Sequence, residues 1–126
     1  MDCLFCKILK KEIPCDFIYE DEDTVAFLDI NPVSVGHTLV IPKKHVHNFE
    51  DITLKNIEAI NKTGKIIYHA LKDGLNPDGI RLVQNNGFFQ EIPHYHLHLI
   101  PGFKKDVELS LDEVKKILKK TVKLNS

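Results

Sequence analysis

Three histidines stand at alternate positions in "HYHLHLIP", residues 94–101, out of seven in the whole chain. In an extended strand, side chains two residues apart share a face at about 7 Å spacing. His94, His96 and His98 would then line one face, with Tyr95, Leu97 and Leu99 turned toward a core. The ordinary pKa of imidazole lies near neutrality. One ring can therefore be a neutral nucleophile while a neighbour donates a hydrogen bond or a proton. Such a row can surround an extended group such as a phosphate. Alternating histidines can also build a zinc site.

A second constellation is "CLFC", which places Cys3 and Cys6 three residues apart. Two thiols at this spacing can bind zinc or cycle as a dithiol. Redox pairs usually open a helix that follows a strand, and no strand precedes this one. Zinc needs two more ligands. His45, in "IPKKH", and one histidine of the 94–98 row are the candidates. Two free buried thiols remain the alternative. Cys15 has no partner at useful spacing.

The elements that position these groups follow from periodicity. "CLFCKILKK" (3–11) reads as a short helix ended by Pro14. Residues 17–22, 24–30, 37–42 and 80–84 read as strands, and the histidine row as the fifth. Leu54, Ile57, Ile60, Ile67 and Leu71 fall near helical spacing from Thr53 to Lys72, with a stop at Asp73-Gly74. A final amphipathic helix spans 110–124, and Ser110 with Glu113 can form a capping box at its start. Strands cluster rather than alternate strictly with helices. The fold class expected is therefore α+β with a mostly antiparallel sheet.

The bulk numbers narrow the partners. A chain of 126 residues is sized for one domain. Its 17 basic and 18 acidic residues give no electrostatic argument for a nucleic-acid backbone or an anionic membrane. No apolar run approaches the roughly 20 residues of a membrane span. Three cysteines without a signal-like N-terminus suit a reducing compartment, so a cytoplasmic location is expected.

"HYHLHLI" has the form His-φ-His-φ-His-φ-φ, where φ is apolar. It resembles the signature of the histidine triad (HIT) nucleotide hydrolases and transferases. "CLFCKILKKEIP" is similar to the N-terminal segment of bacterial members of the Hint branch. "AFLDINPVSVGHTLVIPKKH" resembles the strand–loop–strand before the family's central helix. "QNNG" and "QEIPHYHLHLIP" resemble its phosphate-binding end. These motifs occur in order across nearly the whole chain. The resemblance implies a HIT-like fold over 1–126, with five mostly antiparallel strands, two main helices and an N-terminal Cys-x-x-Cys segment (1–15). It also implies a homodimer and a purine nucleotide as substrate.

By the same resemblance, His96 attacks the α-phosphate to form a nucleotidyl-histidine that water then hydrolyses. His98 contacts the phosphate and assists the leaving group, and the backbone carbonyl of His94 holds the far nitrogen of His96. His37 supports the site. Asp29 binds the ribose. Phe5, Ile8, Phe27 and Ile30 form the base pocket, and Asn85 and Gln90 lie near the phosphate. Some members carry a structural zinc, which here would fall to Cys3, Cys6, His45 and His94.

The chain departs from the pattern at three places. The stretch between the Asn-Gly turn and Gln90 is "FF", about two residues shorter than usual, with Phe89 where glycine is common. Glu91 stands where several members have Ser or Thr. Gly102 stands where an Arg often follows "IP". These differences bear on the leaving group. Two other readings stay open: a zinc-dependent hydrolase that uses the histidine row as ligands, and a nucleotide-binding module without catalysis.

Overall fold

The computed structural model describes residues 3–125. Its strands are β1 (Tyr19–Glu20), β2 (Thr24–Leu28), β3 (Thr38–Pro42), β4 (Gly79–Gln84) and β5 (Leu97–Gly102). They form one five-stranded sheet in the order β1-β2-β3-β5-β4, and every pairing is antiparallel. The helices are α1 (Leu4–Leu9), α2 (Leu54–Leu75) and α3 (Leu111–Asn125). The α+β fold expected from the sequence is thus the fold observed. No helix among the described residues is long and apolar enough to cross a membrane.

The central strands are buried on both faces, which is why they read as nearly continuous apolar runs. On one face, Ala26, Val40, Leu97 and Leu99 pack with Ile60, Ile67 and Leu71 of α2 and with Val114, Leu118 and Val122 of α3. On the other, Val25, Phe27, Leu39 and Ile41 pack with Cys3, Phe5 and Ile8. The sheet therefore lies between the long helices and the N-terminal segment. The second layer brings α1 to the site.

Several boundaries differ from the sequence reading, each for a local reason. The first strand is only Tyr19–Glu20, because the Asp21 carboxylate accepts hydrogen bonds from the N–H groups of Asp23 and Thr24 and turns the chain. Helix α1 ends at Leu9, and Lys11 takes φ 63° before Pro14 is reached. Helix α2 runs past Asp73-Gly74 to Leu75 and is closed by Asn76 in the left-handed region, at φ 50°. Gly74 belongs inside the helix because a Cβ there would lie 2.7 Å from Ile117 Cγ2 of α3. The capping box forms as expected. Ser110 N–H donates to Glu113 Oε1 at 3.0 Å, and Glu113 N–H to Ser110 Oγ at 3.1 Å.

The fifth strand opens at Leu97, not at His94. Pairing with β3 stops at Val40↔Leu97. Before it, His94 N–H donates to the Ile92 carbonyl at 2.8 Å and Tyr95 N–H to the Val46 carbonyl at 2.6 Å. Residues 94–96 are thus held by a turn and a loop rather than by a ladder. The alternation survives on its apolar side, since Tyr95, Leu97 and Leu99 are all buried in the main core.

Candidate active site

Because the chain bends before β5, the three histidines do not form an even row. The His96 and His98 rings approach to 4.8 Å between centroids. His94 turns away from them and lies 5.0 Å from the His45 ring.

The His94 side chain is fully buried between two polar environments. Its Nε2 lies 2.9 Å from the Pro42 carbonyl, to which it donates. Its Nδ1, left with a lone pair, lies 3.5 Å from Cys3 Sγ and 3.6 Å from Cys6 Sγ. Cys6 Sγ is in turn 3.1 Å from His45 Nδ1. The four donor atoms lie within 4.8 Å of one another. Around a tetrahedral zinc the S···N edge would be about 3.6 Å from ordinary bond lengths. The donor set, its spacing and the anchored tautomer of His94 all fit such an ion. Burial pushes the His94 pKa down to about 4, so the ring is neutral at pH 7, as a ligand must be. Burial and the neighbouring Cys3 raise the Cys6 thiol.

His96 is 5% exposed and edge-on to Phe5 of α1, with ring centroids 5.1 Å apart. Its Nδ1 lies 2.7 Å from the His94 carbonyl. A carbonyl only accepts, so Nδ1 carries the proton and Nε2 keeps its lone pair. Burial lowers the His96 pKa; the bond to His94 and the carboxylates of Asp29 and Glu91 push back against it. The ring is held neutral and oriented, with an Nε2 lone pair that can act as a nucleophile.

His37 and His98 form a directed pair. Val33 N–H donates to His37 Nδ1 at 3.1 Å, so the His37 proton sits on Nε2. That nitrogen lies 2.9 Å from His98 Nδ1. His98 Nδ1 therefore accepts, and His98 carries its own proton on Nε2. Burial lowers both rings, His98 to about 4. Asp29 flanks the pair, its Oδ2 3.7 Å from His37 Nε2. Its Oδ1 accepts from Asn31 N–H at 2.9 Å, which fixes the carboxylate at the end of β2. Asp29, His37 and His98 also cluster closely enough to hold a cation. The Val33 bond opposes that use, because it leaves a proton on the His37 nitrogen that would have to bind.

Two cavities meet at these groups. One, of about 250 Å³, is bounded by His37, His96, His98, Asn85, Phe89 and Glu91 among others. The other, of about 260 Å³, is mainly apolar and lined by Phe5, Ile8, Phe27 and Ile30 with their neighbours. Asp29, Asn31, Glu91, His96 and His98 border both. The structure thus brings together every expected site residue of the nucleotide cleft except one. Gln90 lines neither cavity. Its side-chain amide donates to the His47 carbonyl at 2.6 Å, while its Oε1 is buried without a partner. Ile30 is 78% exposed, so it forms a rim rather than a wall.

Sequence reasoning had not singled out Val33, which sets the His37 tautomer, nor Asn31, Val83, Ile92 and Ile100, which line the cavities. Asn31 and Val33 sit within four residues of Asp29, and that proximity was the available signal. Ile100 continues the alternation of His96 and His98, and Ile92 lies within the quoted "QEIPHYHLHLIP"; Val83, on β4, carries no such signal.

Comparison with known proteins decides the family. A family model described as the HIT domain matches residues 10–105. The chain belongs to the HIT family. It is 43% identical over 128 residues to an uncharacterized HIT-like protein of Methanocaldococcus jannaschii, covering 93% of this chain and 98% of that one. It is 39% identical over 103 residues to the adenosine 5′-monophosphoramidase hnt1 of Schizosaccharomyces pombe, covering 80% of this chain and 74% of that one. Among solved structures, a Zn-bound histidine triad family protein from Mycobacterium smegmatis superposes with a TM-score of 0.91 at 33% identity, over 98% of this chain and 95% of that one. The resemblance read from the motifs is thereby established, and the HIT fold with it.

Proposed function

We propose that this HIT protein is a hydrolase that cleaves the bond between a nucleoside monophosphate and its leaving group through a covalent nucleotidyl-histidine on His96. The observation that carries the reading is the 2.7 Å bond from His96 Nδ1–H to the His94 carbonyl. It leaves Nε2 free to attack at the point where the two cavities meet. The name of the phosphoramidase relative supports the same class of chemistry.

In this reading, Phe5, Ile8 and Phe27 enclose a purine base, with Ile30 at the rim. Asp29 accepts from the ribose hydroxyls. The phosphate then falls between His96, His98 and Asn85. His96 Nε2 forms a bond to the α-phosphorus as the bond to the leaving group breaks. The leaving atom departs with that electron pair and takes up a proton from water in the open cleft. His98 presents Nε2–H to the phosphate oxygens and the leaving atom, and His37 holds His98 in that tautomer. Water then attacks the phosphorus, the bond to His96 breaks with its electron pair returning to Nε2, and the proton given up by the water passes to solvent. Gln90 acts indirectly, by fixing the loop at His47.

We further propose a structural zinc on Cys3, Cys6, His45 and His94. Such an ion would tie α1 and the loop after β3 to the segment before β5. The histidine row does not serve as a three-ligand catalytic metal site in this reading. His94 Nδ1 faces the cysteines while His96 Nδ1 is committed to a carbonyl. A homodimer is proposed on the family resemblance. The open edge of the sheet at β4, with Leu82 58% exposed, suits it. Cysteines that form no disulfide, among the described residues, and a reducing cytoplasm complete the reading.

The test is intact mass after mixing with an adenosine 5′-phosphoramidate and quenching within seconds at alkaline pH. The expected result is one added nucleotidyl mass, mapped to His96 and absent in His96→Ala. Steady turnover by His96→Ala at the wild-type rate would overturn the reading.

A further inference from the structure

Among the described residues, neither cavity is lined by a lysine or an arginine. Two carboxylates, Asp29 and Glu91, border both cavities. A phosphate chain as leaving group would bring several negative charges into this surrounding with only histidines and neutral donors to meet them. An ionised carboxylate accepts hydrogen bonds and repels phosphate oxygens.

The two carboxylates are not equivalent. Asp29 is bound to the Asn31 N–H and sits beside His37. Glu91 forms no hydrogen bond or ion pair within the described residues, and it is exposed at the mouth of the cleft. It lines both cavities together with His96, so it lies near the reacting centre. Facing one of them is Phe89, 65% exposed and packed on Phe88 with ring centroids 4.1 Å apart. An unpaired carboxylate beside an exposed aromatic face is a surrounding that favours a cation.

We propose that Glu91, with Phe89, forms a leaving-group subsite that selects amines bearing a second positive charge and rejects anionic leaving groups. This rests on the reading of the site as a nucleotidyl hydrolase and names which substrates of that class it takes. Glu91 selects by charge and takes no part in the bond-making step. Because the subsite opens to solvent, the selection weakens as salt rises.

The experiment compares three adenosine 5′-phosphoramidates whose leaving groups match in length. One is a diamine with a free ammonium, one an alkylamine, one an amine ending in a carboxylate. A dinucleoside polyphosphate is the fourth substrate. The readout is the ratio of kcat/KM values on one preparation, which cancels any difference in the fraction of folded enzyme. The wild type should favour the diamine over the alkylamine by about five- to tenfold, as expected for one charge pair in a wet site. It should disfavour the carboxylate and the polyphosphate. Glu91→Gln should bring the diamine ratio near one, and Glu91→Lys should reverse the order toward the carboxylate. A wild-type ratio near one, or the same ratio in Glu91→Gln, overturns the subsite while leaving the hydrolase reading intact. No turnover of any of the four, with no adduct on His96, overturns both.

Discussion

At the residue scale, the site is a problem in proton placement, and neighbouring backbone groups solve it. The His94 carbonyl fixes one ring and the Val33 N–H fixes the next, which in turn fixes His98. Burial keeps these rings neutral, and that has a cost at low pH. His98 protonates near pH 4 in the folded protein against about 6.5 unfolded. Between those values the unfolded chain binds more protons, so stability is complete above about pH 6.5 and falls as the pH drops toward 4. The loss from this residue should be on the order of 2–3 kcal/mol. Urea denaturation at pH 7.5 and pH 4.5 measures it, and His98→Gln should flatten the slope. A wild-type stability that rises toward pH 4.5 would contradict the buried neutral ring. The closeness of His96 and His98 is legible from the alternation, which survives a bend. The separate placement of His94 is read from the family resemblance and not from the spacing, because it depends on where a carbonyl and two sulfurs lie.

At the element scale, the sheet was legible where apolar alternation is strong and less so where a turn residue intervenes. Asp21 shortened β1 through its own carboxylate, and Gly74 looked like a helix stop but serves the α2–α3 contact. Neither is visible without the neighbouring element. Gly36 is a further case, in the loop that delivers His37. It has φ +90°, and a Cβ would lie 2.6 Å from Leu75 Cδ1. Gly36→Ala should cost about 1–3 kcal/mol, from backbone strain and displacement of the end of α2. A shift in the urea midpoint reads that cost. An unchanged midpoint would show that the Leu75 side chain yields freely and that the backbone there tolerates a Cβ.

At the scale of the whole molecule, the N-terminal segment is joined to the rest in two ways. Phe5 and Ile8 pack on the sheet face, and Cys3 and Cys6 reach His45 and His94. With zinc on that set, chelation should lower Tm by several degrees, roughly what 1–2 kcal/mol does in a chain of this size. Re-addition of zinc should restore it, and Cys6→Ala should remove the response. A Tm indifferent to both chelator and zinc would leave the four residues as an apolar and hydrogen-bonded joint only. This joint was foreshadowed by the Cys-x-x-Cys spacing, although the spacing alone left its second pair of ligands open. The apolar cavity is legible only through the family resemblance, which names Phe5, Ile8, Phe27 and Ile30 but not Ile92. Phe5, Phe27 and Ile92 come from three parts of the chain, and only the fold brings them together.

His94 gives its ring to the sulfurs and the Pro42 carbonyl, and its backbone to His96. The two halves of this residue therefore answer to different histories. A lineage that lost both cysteines would still carry a Pro42 carbonyl buried against position 94 and in need of a donor. It would also still carry the His96 ring leaning on the peptide oxygen of that residue. The first histidine of the triad can thus outlive the metal centre proposed for it, and its persistence in a relative is no record of whether an ion was ever kept.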